Sequence, residues 1–132
     1  LIYNNAGDGI DLGPNDGPTP NDVNDVDIGP NDLLNTPVFT SAFLSGATLI
    51  LSGFMNTQAN KDLVIQLYAN PSGGQGQIQL GFIPVSMGPN NTVFFTKTLT
   101  VPSTVVKGYT LTAIAIDQLG NSSEFSIPLV IE

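Results

Sequence analysis

The sequence predicts an all-β protein: an antiparallel two-sheet sandwich of about seven strands, preceded by an acidic arm. Three observations carry this. From Val38 onward, short runs of alternating apolar and polar residues recur, separated by Gly, Pro and Asn turn signals. No stretch sustains the 3.6-residue period of a helix. Charge is also segregated. Asp8, Asp11, Asp16, Asp22, Asp25, Asp27 and Asp32 lie in residues 1–32 without a single Lys or Arg. The other 100 residues carry four acids and three lysines, so nearly all of the net charge of −8 sits in the arm.

Taken in order, residues 1–36 form the arm and residues 37–132 the sandwich. The segment Gly7-Asp8-Gly9-Ile10-Asp11-Leu12-Gly13 alternates small, polar and aliphatic residues. One coil of a parallel β-helix has this pattern, as does half of a glycine-rich calcium nonapeptide. A lone coil cannot bury its own core, so the segment is expected to end a longer solenoid, with the chain a fragment of a larger protein. Pro37 closes the arm. Strands are expected at 38–43, 47–54, 62–70, 78–86, 92–99, 109–117 and 124–131, with Pro84 placing the end of the fourth at a sheet edge or a bulge. Seven such strands are the signature of an immunoglobulin-like sandwich. Leu49, Leu51, Ile65, Leu67, Phe95, Leu111, Ala113, Phe125 and Ile127 are the expected core. Lys97 breaks the pattern, standing where an apolar residue belongs between Phe95 and Leu99. Either that strand slips register or the lysine snorkels at an edge.

The arm offers only hard oxygen donors, since the protein has no His and no Cys. That removes imidazole and thiolate sites, and with them most zinc, copper and iron chemistry. Flexible sites rich in carboxylates suit calcium; magnesium demands stricter octahedral geometry. The expected ligands are Asp22, Asn24, Asp25 and Asp27, sharing one ion, with Asp11, Asp16, Asn31 and Asp32 completing its shell or holding a second. The last four belong to an internal repeat: Asp11-Leu12-Gly13-Pro14-Asn15-Asp16 recurs as Asp27-Ile28-Gly29-Pro30-Asn31-Asp32. It is not an EF-hand, because the twelfth position counted from Asp22, Asp25 or Asp11 is Leu33, Thr36 or Asp22, never Glu. The competing reading is a solvated acidic linker. The interleaved aliphatics Leu12, Val23, Val26 and Ile28 argue for a folded arm instead. Asp117, Asn121 and Glu124 form a second polar cluster, better read as a turn closed by side-chain hydrogen bonds than as ligands.

Several functions are excluded or disfavoured. Nucleophilic triads lack His and Cys. A paired-carboxylate glycosidase would want an aromatic cleft, and there is no Trp. A lysine isopeptide crosslink would use Lys97, but a strand lysine is far more often solvated. The chain is therefore not expected to be an enzyme. An acidic protein without Arg has no surface for phosphate backbones, so no nucleic acid is expected. Its apolar runs are of strand length, so no membrane insertion is expected either.

The segments GPNDLLNTPVF, LYANPSG and TAIAIDQLGNSSEFS resemble the immunoglobulin-like module that follows right-handed β-helix repeats in large secreted or surface proteins of bacteria. The resemblance covers nearly the whole chain. It implies a sandwich module, joined to the preceding β-helix of a parent chain that is secreted or at the cell surface, and it implies no reaction; as an isolated module the chain is expected to be a monomer. With the acidic arm, the expected function is a non-catalytic, calcium-stabilised structural or adhesion module. Two alternatives stand beside it. One is a carbohydrate- or protein-binding module, whose loops 56–61 and 71–77 and Tyr68 would contact an extracellular glycan or protein. The other is an accessory domain of a secreted β-helix enzyme acting on polysaccharide.

Overall fold

The computed structural model describes residues 1–13 and 17–132. It contains strands β1 (Val38–Ser45), β2 (Thr48–Asn56), β3 (Asp62–Asn70), β4 (Ile78–Ser86), β5 (Thr92–Thr100), β6 (Thr110–Asp117) and β7 (Leu129–Val130), with one short 3-10 segment, Pro30–Leu33, ahead of them. The strands form two sheets, ordered β1-β2-β5 and β4-β3-β6-β7, antiparallel throughout. The fold is an immunoglobulin-like sandwich in which the fourth strand lies beside the third. Pro84 sits on the edge strand β4, where its missing N–H costs no ladder bond.

Strand alternation fills the space between the sheets. Leu49, Leu51, Ile65, Leu67, Leu111 and Ala113 have no exposed surface. Phe95 is half-buried and meets the Phe39 ring edge-on, with centroids 6.1 Å apart. Lys97 causes no slip, since β5 pairs with β2 without a break from Thr92 to Thr100. The lysine lies half-buried on the inner face of an edge strand, where an inward charge discourages pairing with a foreign strand.

The last strand departs from expectation. Only Leu129–Val130 is regular, and Ile127, expected in the core, is 76% exposed. The cause is a pair of bulges. The N–H groups of Ser123 and Ser126 donate to the carbonyls of Ala115 and Ala113, and their hydroxyls accept from the N–H groups of those same alanines. Glu124 and Phe125 thus oppose Ile114 alone, a two-to-one count that defines a β-bulge. Leu129 opposes Leu111, so the same count recurs with Ile127 and Pro128 opposite Thr112. The residues facing the alanine side of β6 are therefore Ser123, Ser126 and Leu129, every third residue rather than every second.

The first bulge sends Phe125 to the outer face of the β4-β3-β6-β7 sheet. There it joins Tyr68 and Ile114 in a second small cluster, covered by Ile2 and Ile10 of the arm. The fit is close. A Cβ on Gly9 would lie 2.8 Å from Ile2 Cγ2 and 2.9 Å from the Phe125 ring. Ile2 and Gly76 exchange two backbone hydrogen bonds beside it, at 3.1 and 2.7 Å. Residues 1–12 are thus packed onto the sandwich.

Candidate metal centre

Residues 21–36 double back so that their two ends pair through side chains. The Asn21 carboxamide donates to the Thr36 carbonyl and accepts from the Thr36 N–H, both at 2.8 Å. The Asn35 carboxamide does the same for Asp22, accepting from its N–H at 3.0 Å and donating to its carbonyl at 2.9 Å. Between these pairs the chain curls tightly. Asn24 and Asp25 adopt left-handed φ values of 65° and 58°, which Asn and Asp tolerate better than other residues with a side chain. Asp22 Oδ2 closes the curl by accepting from the Val26 N–H at 2.9 Å.

This curl gathers the carboxylates of Asp22, Asp25 and Asp27, with one oxygen from each within 4.8 Å of the others. Asp25 is 2% exposed and firmly oriented. Its Oδ1 accepts from the Asn35 N–H at 2.8 Å, its Oδ2 accepts a short hydrogen bond from the Thr57 hydroxyl, and its carbonyl accepts from Gln58 Nε2 at 2.8 Å. Asn56 Oδ1 accepts from the Asn24 N–H at 2.9 Å, and the Asn56 carbonyl accepts from Asn35 Nδ2 at 3.1 Å. The end of β2 and the loop after it therefore hold the cluster in place.

Two oxygens of the cluster, Asp22 Oδ1 and Asp27 Oδ1, are buried and have no hydrogen-bond partner. Burial, reinforced by the charges of Asp22 and Asp25, pushes the Asp27 carboxyl above its usual value. A buried acceptor left unsatisfied costs about 1–3 kcal/mol, and more when charged. A cation would relieve both penalties. Each oxygen of Asp25 keeps a second lone pair after its one hydrogen bond, so all three residues can still ligate. The cluster could hold a metal ion, and an oxygen-only donor set favours a hard one.

Of the other expected acidic ligands, Asp11 and Asp32 do not join this group. Asp11 is exposed, and Asp16 falls outside the described residues. Asn24 binds Asn56 through its backbone N–H. Asn31 and Asp32 are exposed in a left-handed turn, with φ of 50° and 56°, and Asp32 Oδ2 accepts from Asn121 Nδ2 at 3.1 Å. Among the described residues, no second group of three acidic side chains converges. Of the interleaved aliphatics, Leu12 is half-buried, while Val23, Val26 and Ile28 are 78%, 66% and 91% exposed. Around the cluster itself, polar side chains hold the chain in place.

The acids of the β6–β7 turn are engaged in hydrogen bonds. Asp117 Oδ1 accepts from the N–H groups of Leu119 and Asn121, and its Oδ2 accepts from Asn121 Nδ2. Glu124, only 3% exposed, reaches the arm. Its Oε1 accepts from the Leu12 N–H at 2.7 Å, and its Oε2 from the Thr19 N–H at 2.5 Å. Asn35, Asn56, Thr57 and Gln58 were not foreseen as partners of the cluster. The one local hint was Asn35-Thr36 directly before Pro37, polar residues where the chain must enter the sandwich. In the loops expected to bind ligand, Thr57 and Gln58 hold Asp25, and Gln75 Nε2 donates to the Gly7 carbonyl at 2.8 Å. Tyr68 is 8% exposed beneath Phe125.

No family model matches the sequence, and neither does any curated protein. Among the described residues, no helix is long and apolar enough to cross a membrane. Fold and site together define an all-β sandwich whose acidic arm carries a cluster able to hold a metal ion.

Proposed function

We propose that the chain is a calcium-stabilised, non-catalytic structural module of a larger secreted or surface-displayed protein. The observation that carries the metal part is the pair of buried, unpartnered oxygens on Asp22 and Asp27, beside the fully oriented Asp25. Calcium is preferred over magnesium because it accepts six to eight oxygens in loose geometry, so backbone carbonyls and water can complete its shell. Asp22, Asp25 and Asp27 would hold the ion, and its charge would offset their mutual repulsion. Asp22 and Asp25 also tie the arm to β2 and the β2–β3 loop, through Asn35, Asn56 and Thr57. Occupancy would therefore stiffen the connection between the sandwich and whatever precedes it. The extracellular setting, the preceding β-helix and any adhesive role rest on the resemblance of the three segments named above.

The test is a thermal melt in chelator, in calcium and in magnesium, beside a calorimetric titration. An ion that binds only the folded form stabilises it by about 2.7 kcal/mol at a hundredfold excess over its dissociation constant. No heat of binding, with three superimposable melts, would refute the metal assignment.

A further inference from the structure

The two outer faces of the sandwich differ. The arm covers part of the β4-β3-β6-β7 face, through Ile2 and Ile10. On the other sheet, the outward residues of β1, β2 and β5 are exposed or half-buried. In a protein of net charge −8 these three strands carry one charge, Lys97, and it faces inward.

Their outward side chains fall into bands across the strands. Phe54 and Phe94 are register partners, with ring centroids 5.7 Å apart, and Phe94 is 76% exposed. The next outward pair is Ser52 and Thr96, whose hydroxyls are 3.0 Å apart. The next is Phe43 beside Ile50, 51% and 44% exposed, with Thr98 completing the row on β5. Beyond it the outward residues are hydroxyls again. Successive bands are two residues apart along a strand, about 7 Å. Monomeric proteins rarely leave an aromatic patch in water without a use for it.

We infer that the outer face of the β1-β2-β5 sheet is a binding platform for a neutral polysaccharide. A sugar ring presents apolar C–H faces and a rim of hydroxyls. Phe54 and Phe94, with Phe43 and Ile50 beyond them, would take the faces, and the Ser and Thr side chains the rim. Charge supports this occupant over an acidic polymer: the platform is uncharged and the rest of the molecule is anionic, so an acidic chain gains nothing on the face and is repelled around it. Lys107 Nζ, 4.9 Å from the centroid of the Phe43 ring, is a cation at one end only. At one end the row after Phe54 and Phe94 is Asn56 and Thr92, joined by a hydrogen bond at 2.7 Å, and Asn56 there also accepts from the Asn24 N–H.

The test is depletion of the 132-residue chain from solution by microcrystalline cellulose and by chitin as neutral probes, with soluble polygalacturonate as the acidic one. Wild type should bind at least one neutral solid and ignore polygalacturonate. Phe94→Ala should weaken that binding roughly tenfold, the scale of one lost aromatic contact. Leu119→Ala removes an equally exposed apolar side chain elsewhere and should bind as wild type does. Far-UV circular dichroism and melting confirm that both variants are folded. No depletion by either neutral solid, or equal depletion of wild type and Phe94→Ala, overturns the proposal. So does sedimentation showing a dimer that Phe94→Ala dissociates, because the face would then be a self-interface.

Discussion

The Asn35 carboxamide makes to the backbone of Asp22 both hydrogen bonds that a neighbouring strand's peptide group would make. Asn21 returns the arrangement on Thr36. Two side chains thus supply a short stretch of ladder where the arm has no strand. Between residues 21 and 36 the chain is rich in Asp and Asn, and its like charges oppose compaction. Four amide hydrogen bonds fix the curl, and the curl brings the three carboxylates together.

Asn35 should therefore be the most sensitive polar residue of the arm. It is 3% exposed, and its Nδ2 also donates to the Asn56 carbonyl. Asn35→Ala leaves the buried donor and acceptors it served unsatisfied, at a cost on the order of 2–4 kcal/mol. Urea denaturation with and without calcium measures it. Asn21 is exposed, so Asn21→Ala should cost less. Equal losses in the two variants would mean that burial does not set the cost.

Asp27→Asn should act with opposite sign in the two ionic conditions. In chelator it removes an ionised group that burial and the Asp22 and Asp25 charges disfavour, so the melting temperature should hold or rise. In calcium it removes a ligand. If the dissociation constant weakens a hundredfold, a calcium concentration that gave about 2.7 kcal/mol leaves about 0.4 kcal/mol. A variant destabilised in chelator and still fully calcium-responsive would show that Asp27 is structural only.

The sandwich was legible because alternation is a local property: β3 and β4 fall where their patterns place them. The end of the chain was not, because Ser123 and Ser126 use hydroxyls in place of ladder carbonyls and so hide two bulges inside an apparently alternating run. In the arm, Asp22, Asp25 and Asp27 converge as their close spacing suggested. Of the internal repeat's second copy, Asp27 joins the cluster, while Asn31 and Asp32 lie in a left-handed turn. The partners from β2 and the loop after it lie more than 20 residues away in sequence, a distance no local pattern spans.

Glu124 is a second anchor for the arm, independent of any ion. Its buried carboxylate accepts from two backbone N–H groups and from the Thr19 hydroxyl. Glu124→Gln replaces one acceptor oxygen by a donor that faces other donors, and should cost about 2–3 kcal/mol. The loss should appear first as faster proteolysis within residues 1–20, while calcium binding at the cluster is retained. Unchanged proteolysis would mean that Ile2, Ile10 and Gln75 suffice to hold the segment.

Asp117 sets the acid limit. Burial opposes its ionisation, but hydrogen bonds from the Asn121 side chain and from the N–H groups of Asn121 and Leu119, with the charge of Lys61, outweigh that and hold its carboxyl below the usual 3.8. A depressed carboxyl pKa means that the unfolded chain binds the proton first. Its contribution is present in full above the unfolded value and is lost as pH falls below that, through the folded one. Asp27, whose carboxyl is raised, works the other way in the ion-free protein and gains stability on protonation. Asp117→Asn removes one of the two opposing contributions and keeps the Oδ1 acceptor of the turn, at the cost of the bond from Asn121 Nδ2. Urea midpoints in chelator at pH 5, 4 and 3 should show wild type more stable than Asp117→Asn at pH 5, with the gap closing as pH falls. A gap that is constant across the three values would mean that the carboxylate's hydrogen bonds, and not its charge, account for the difference.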